Sequence, residues 1–223
     1  PGDPLVVPFA VFAVLAALAA VALLSTRETV AADADRRRAL APIRIRAGSA
    51  AVRAAWAALF AAYAVQAFFS SLAPGLLADA MDRPSPALAG AVTCLLYVSA
   101  AASQLAFGDR ARRTLLGLGV ALLPAGVALV TAGVWRAKLA LVLAGGALAG
   151  TGIGALTRGC IATVTALAPP AIRGEALSGL FLAGYVGLCL PVLGLGLASD
   201  AFDPTAALAG FSALIMGAIA GAG

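Results

Sequence analysis

The sequence predicts an all-α protein that forms a polytopic membrane helix bundle, and three observations support this. Hydrophobic residues make up 62% of the 223-residue chain, its mean hydropathy is +1.02, and 11% of its residues are charged. The apolar residues form seven stretches of about 20 residues, the length at which a helix crosses a hydrocarbon core of about 30 Å. These stretches do not alternate polar and apolar residues as membrane β-strands do.

The predicted spans divide into one lone helix and a group of six. Residues 1–24 form the first helix, and a charged linker over 25–53 separates it from the six-helix unit over 54–223. The six spans of this unit cover about 54–78, 86–107, 114–134, 139–167, 176–198 and 205–223. The chain begins at Pro1 without a methionine and stops inside an apolar stretch at Gly223. We therefore expect a fragment of a longer protein.

Basic residues gather in alternate loops, which predicts the orientation of the spans. Eleven arginines lie in loops on one side, while Arg83, Arg136 and Lys138 lie on the other. Loops rich in lysine and arginine stay in the cytoplasm. We expect a multi-pass protein of the plasma (inner) membrane, in contact with the lipid bilayer. Residue 1 is then extracytoplasmic, and the linker 25–53 and the C-terminus are cytoplasmic.

Several classes of chemistry lack the residues that they require. The chain has no histidine, and Cys94, Cys160 and Cys189 lie in apolar stretches without CxxC spacing. The spans show no paired carboxylates and no activated nucleophile for general acid–base or covalent catalysis. We therefore expect no enzyme activity, no metal site and no cofactor. Because the basic residues lie in loops between spans, we also expect no nucleic-acid partner.

Polar residues are shared unevenly among the spans. The second, third, fifth and sixth spans carry most of them, and the fourth and seventh carry almost none. Because an unpartnered polar group in hydrocarbon is costly, the first set should line a cavity and the second should face lipid. The alternative is that these groups form interhelical hydrogen bonds that hold the packing. The candidates for a substrate path are Tyr63, Gln66, Ser70, Tyr97, Gln104, Arg158 and Tyr185.

Arg158 is the one charge well inside a predicted span. Inserting such a charge costs about 2.5–3.5 kcal/mol, so it suggests a function by default. It would bind an anionic substrate group, pair with a carboxylate elsewhere, or hold a gate. The alternative is that its long side chain snorkels to the cytoplasmic surface.

Glycines and prolines mark candidate packing and hinge positions. Gly146, Gly150 and Gly154 form two overlapping GxxxG steps, which let two helices approach closely. Pro74 and Pro191 lie in predicted spans and remove backbone hydrogen bonds there, so they are candidate kinks.

Two loops resemble signatures of a known transporter family. Residues Phe107–Arg113 resemble the Gly/Asp/Arg loop of the major facilitator superfamily (MFS), and Ala168–Glu175 resembles its Pro…Arg-Gly loop. The first pattern departs from the family at Arg112, where a glycine is expected, and at Thr114, where a second basic residue is expected. On this resemblance the chain is similar to the C-terminal half of an MFS transporter with the helix before it, that is, family helices six to twelve.

The resemblance implies a secondary active transporter that moves a small-molecule substrate by alternating access. It also implies a half built from 3+3 inverted repeats and a missing N-terminal half of the same chain as partner. Family frequency favours efflux over uptake. Ion pairs among loop charges would latch a cytoplasmic gate, with solvated surface charges as the alternative. The gate candidates are Asp109, Arg110, Arg113, Arg173 and Glu175.

Other classes of membrane protein remain open. A receptor-like or retinal protein also has seven helices, but the only lysine, Lys138, lies at a span boundary and not deep in a helix. A non-transporting membrane scaffold is the other alternative. A scaffold, however, does not require the uneven distribution of polar residues among the spans.

Overall fold

The computed structural model describes residues 6–25, 49–71, 77, 85–199 and 217. Within these ranges every regular element is a helix and no strand is present, which confirms the all-α prediction. The helices are α1 (Val6–Ser25), α2 (Ala50–Ser71), α3 (Pro86–Ala106), α4 (Arg112–Trp135), α5 (Leu139–Leu167) and α6 (Arg173–Ser199), with a 3-10 turn over Pro170–Ile172 between the last two.

The chain divides into two compact units, over residues 1–42 and 43–223. In the first unit, α1 has twenty residues and ends at Ser25, whose hydroxyl donates to the carbonyl of Ala22 at 2.7 Å. Its described side chains are exposed and almost all are apolar. The second unit holds α2 to α6.

Four helices of the second unit, α2 to α5, are long and apolar enough to cross a membrane. This length and composition are consistent with the predicted membrane bundle. The last predicted span, 205–223, and the candidate hinge Pro74 lie outside the described residues, apart from Gly217. The helix α6 continues through Pro191.

The second helix begins at Ala50, four residues before the predicted start of its span. The reason is a cap: Ser49 Oγ accepts a hydrogen bond from the Val52 amide at 3.3 Å. Arg53, which the sequence placed in the linker, therefore lies in the first turn of a helix. At the start of α3, Ser85 caps the Leu88 amide at 3.3 Å in the same way, and Pro86 follows as the first helical residue.

Helices α4 and α5 form an antiparallel hairpin whose interface is lined by glycines at seven-residue intervals. A Cβ atom at any of these positions would lie within 3.0 Å of the facing helix. For example, Gly126 lies against the backbone of Ala149, and Gly152 against Leu123. The absence of side chains lets the two backbones approach closely. The set is Gly119, Gly126 and Gly133 on α4, and Gly145, Gly152 and Gly159 on α5.

Helices α3 and α5 run parallel, and the GxxxG glycines lie between α5 and its neighbours. Gly150 faces the carbonyl of Leu96, and Gly154 faces that of Ala100, so four-residue steps match on both helices. Gly146 instead faces the ring of Phe69 on α2. The three glycines thus let α5 approach α3 and α2.

Helices α2 and α5 form the centre of the described bundle. In their most apolar stretches 61% and 56% of residues are buried, against 28% for α3 and 33% for α4. The neighbour of α2 on its other side is α6, which runs parallel to it: Trp56 packs on Gly179, and Phe60 on Gly187. The core residues Leu59, Val65, Leu96, Leu123 and Leu156 are fully buried between these helices.

The connections place most of the described arginines at one end of the bundle. We call this the basic end: it comprises the start of α2, the α3–α4 turn over 107–111 and the α5–α6 connection over 168–172. At the opposite end the α4–α5 turn closes with two backbone bonds, from the Lys138 amide to the Gly133 carbonyl and from Ala137 to Val134. Ala137 takes a left-handed conformation there, with φ of 51°.

Candidate functional site

The hydroxyl groups of Ser70 and Tyr97 join α2 to α3 near the end opposite the basic end. Their oxygens are 3.1 Å apart, and Ser70 Oγ also lies 3.0 Å from the Gln66 carbonyl of its own helix. Beside them, Thr93 Oγ1 donates to the Phe69 carbonyl at 3.1 Å. Both Ser70 and Tyr97 remain exposed, and they border an open groove of about 570 Å³ together with Thr93 and Cys94.

A contact between two aromatic rings joins α2 to α6 at about half the length of the helices. The rings of Tyr63 and Tyr185 meet edge to face, with centroids 6.4 Å apart and planes at 76°. Tyr185 is 60% exposed. Counting 1.5 Å per residue from Arg173, its Cα lies about 18 Å along α6. An exposed tyrosine thus lies near the middle of α6.

We group the residues of these two contacts as the hydroxyl face: Tyr63, Ser70, Tyr97 and Tyr185. Tyr63 and Ser70 are seven residues apart and so share one side of α2, with Gln66 between them. Tyr185 and Tyr97 extend this side onto the two neighbouring helices. Four of the seven residues proposed for the substrate path thus meet in two pairs, Ser70 with Tyr97 and Tyr63 with Tyr185, and Gln66 lies on the same side of α2.

The other two, Gln104 and Arg158, lie at the basic end. Gln104 is partly buried in the last turns of α3, two helical turns from Tyr97. Arg158 donates from Nε at 3.1 Å and from Nη2 at 2.9 Å to the carbonyl of Gly108, just beyond the end of α3. In the structure the side chain of Arg158 is exposed and bonded to the turn that follows Phe107.

Several polar groups of α5 and α3 are engaged within the bundle. Ser103, which is buried, donates to the Thr151 carbonyl at 2.9 Å. The hydroxyls of Thr151, Thr157 and Thr163 each donate to the carbonyl four residues earlier on their own helix. Of these four bonds, the one from Ser103 joins two helices, as the interhelical alternative expects, whereas the three threonine bonds stay within α5.

The five gate candidates fall into two groups at the basic end. Asp109, Arg110 and Arg113 are exposed in the α3–α4 turn and the first turn of α4, whereas Arg173 and Glu175 begin α6. No ion pair joins any two of them in the described part of the chain. Glu175 lies in the first turn of α6, where the helix dipole stabilises a carboxylate.

Two buried donors at the α2–α6 contact have no hydrogen-bond partner among the described residues: Trp56 Nε1 and Arg173 Nε. Buried polar atoms are usually satisfied, so these two need an acceptor from outside this set. For metals, the described ranges contain no group of three or more Cys, Asp or Glu residues that lie together.

Sequence reasoning missed three features. The seven-residue spacing of glycines on α4 and α5 was visible in the sequence, but only the four-residue GxxxG spacing on α5 was considered. Pro124 lies inside α4, and its place within a predicted span was likewise visible in the sequence. A groove that combines Arg53 with Arg112 depends on how α2 meets α4 and had no signal in the sequence.

Comparisons with known proteins add no further assignment: no family model, no curated protein and no solved structure matches this chain.

Proposed function

We propose that this protein is a secondary active transporter, resembling the C-terminal half of an MFS protein, and that the hydroxyl face lines the path of a small solute. The observation that carries this proposal is the exposed tyrosine at mid-span. Tyr185 presents a phenol about 18 Å along α6, and its hydroxyl makes no hydrogen bond with a described residue.

A hydrocarbon environment at that depth would leave this hydroxyl unsatisfied. Such a group costs free energy unless protein or water satisfies it. Tyr97 is also 43% exposed, although its hydroxyl already has one partner in Ser70. A water-filled cavity, bounded on its far side by further protein, supplies the missing partners. That is the environment of a transport path between two halves of a transporter.

The resemblance supports the same interpretation independently of the hydroxyl face. The Gly108–Arg113 turn and the Pro169–Glu175 connection lie at one end of the bundle, where the family places its cytoplasmic loops. Alternating access by rocking of two halves needs helices that move as units. The glycine-packed α4–α5 hairpin provides such a unit. Efflux remains the proposed direction, with the coupling carboxylate outside these helices.

A thermal-shift screen tests the proposal and does not require that the substrate be identified first. The purified protein is heated with a panel of amino acids, sugars, carboxylates and organic cations. A ligand that binds only the folded state raises the melting temperature, and above its Kd the stabilisation grows with the logarithm of the ligand concentration. We expect at least one solute to raise it by several degrees in the wild type, and to do so much less in Y97F and Y185F.

The matched control is T131V on α4, which removes a hydroxyl from the helix that we assign to lipid. Its response to the same solute should equal that of the wild type. Flux of that solute into proteoliposomes then completes the test. The proposal fails if no solute stabilises the protein, or if the stabilisation persists unchanged in both tyrosine variants.

A further inference from the structure

A second groove lies at the basic end, away from the hydroxyl face. It has a volume of about 770 Å³ and runs between the start of α2 and the start of α4, with Thr163 of α5 on its border. Three arginines line it: Arg53 on α2, and Arg112 and Arg113 on α4. We propose that this groove binds an anionic phospholipid, with the phosphate at the arginines and an acyl chain along the apolar wall.

The charge of the groove is unbalanced. No acidic residue lines it, and none of the three arginines pairs with a described carboxylate. The start of α4 adds to this positive field, since its N-cap residue Ala111 provides no side-chain cap. The first amides of α4 therefore stay available at the positive end of the helix dipole. An anion held there meets three guanidinium groups and a helix terminus.

The remaining wall of the groove is apolar and extends inward from the charges. Leu116 and Val120 follow Arg112 at four-residue intervals, so they continue the same side of α4 for about 12 Å. Opposite them lie six alanines of α2 between Ala50 and Ala58. A soluble phosphate would use only the charged mouth. A phospholipid uses both parts, because its acyl chain covers the alanines and its headgroup meets the arginines.

The position of the groove agrees with this occupant. Basic pockets between transmembrane helices on the cytoplasmic side are typical headgroup sites for anionic lipids. The groove lies at the basic end, which the positive-inside rule assigns to the cytoplasm. This inference does not depend on the transport proposal, since the groove shares no residue with the hydroxyl face.

Native mass spectrometry of the full chain in mild detergent tests the proposal. The protein is titrated with dioleoylphosphatidylglycerol or with dioleoylphosphatidylcholine, and the lipid-bound fraction is counted. We expect one phosphatidylglycerol to bind at least tenfold more tightly than phosphatidylcholine. Each basic residue near a lipid surface contributes about fivefold in affinity. R53Q/R113Q should therefore bind phosphatidylglycerol about 25-fold more weakly.

The matched control is R136Q/K138Q, which removes the same amount of charge from the opposite end and should leave the affinity unchanged. Arg53 and Arg113 are exposed, so their replacement leaves the core intact, and equal melting temperatures verify this. Excess inorganic phosphate should not displace the lipid. Equal affinity for both lipids, an equal loss in the control, or full displacement by phosphate would each overturn the proposal.

Discussion

At the scale of single residues, Arg158 shows how the structure can account for a charge inside a predicted span. The match of Gly150 with Leu96 and of Gly154 with Ala100 sets the register of α5 against α3. Continuing that register, Arg158 lies level with the last turn of α3, where the chain leaves the helix. The guanidinium therefore meets a free carbonyl at the end of a helix, where a cation is favoured.

We predict that R158Q destabilises the protein by about 1 kcal/mol, since it removes two charge-assisted hydrogen bonds from an exposed site. For a chain of this length that corresponds to a fall of roughly 2–4 °C in melting temperature. R158K, which keeps the charge but not the two-donor geometry, should lie between R158Q and the wild type. Thermal unfolding in detergent measures all three.

An unchanged stability in R158Q would contradict the structural role of this contact. R136Q serves as the control, because Arg136 is an exposed arginine in the α4–α5 turn and its side chain makes no hydrogen bond with a described residue. If R158Q were as stable as R136Q, the roles in substrate binding or gating that the sequence suggests for Arg158 would gain weight.

Part of the residue-level arrangement could be predicted from the sequence. The shared side of Tyr63, Gln66 and Ser70 follows from helical spacing alone. Their partners Tyr97 and Tyr185 could not be assigned in that way, because each lies on a different helix. Which two helices meet, and at what register, depends on packing across the whole bundle.

At the scale of elements, helix bounds were predicted well where sequence signals agree. The span predicted at 139–167 coincides with α5, because Lys138 precedes its start and two prolines follow its end. The start of α2 was placed too late, since Arg53 was assigned to the linker. Its position after the Ser49 cap shows that a charged residue in the first turn does not end a helix.

We predict that G126A destabilises the α4–α5 hairpin by about 1–3 kcal/mol. The added Cβ would overlap the backbone of Ala149, and forcing extra atoms into a packed interface costs that amount. The matched variant is G117A on the same helix, where a Cβ meets no atom within 4 Å. That change should be neutral or slightly stabilising, because alanine is the better helix former.

Thermal or denaturant unfolding of the two glycine variants, side by side, measures this difference. Equal stabilities would show that α4 and α5 do not approach as closely as the structure has them. A loss of stability in G117A and not in G126A would show that α5 packs on the side of α4 that carries Gly117, contrary to the structure.

At the scale of the whole molecule, the fold class was predictable and the arrangement was only partly so. Composition alone indicates apolar helices, and the uneven distribution of polar residues predicts which helices share a polar surface. The central position of α2 and α5 had no comparable signal. Both α3 and α4 are peripheral in the described bundle, although α3 carries several polar residues inside its span and α4 carries almost none. The polarity of a helix therefore does not indicate how deeply it is buried.

The central claim is that the hydroxyl face meets water and not lipid, and cysteine labelling in native membranes tests it directly. Tyr185 and Ala125 are exposed at similar depths, on α6 and α4 respectively. Y185C and A125C are made in a C94S/C189S background, with the buried Cys160 retained. A membrane-impermeant maleimide reacts with the thiolate, which requires water.

We predict that Y185C is labelled in intact membranes and that A125C is labelled only after denaturation in detergent. This result would place water at mid-span beside α6 and lipid beside α4. If Y185C were as unreactive as A125C, the face around Tyr185 would be covered by lipid or sealed by protein. The transporter interpretation would then give way to that of a non-transporting membrane scaffold.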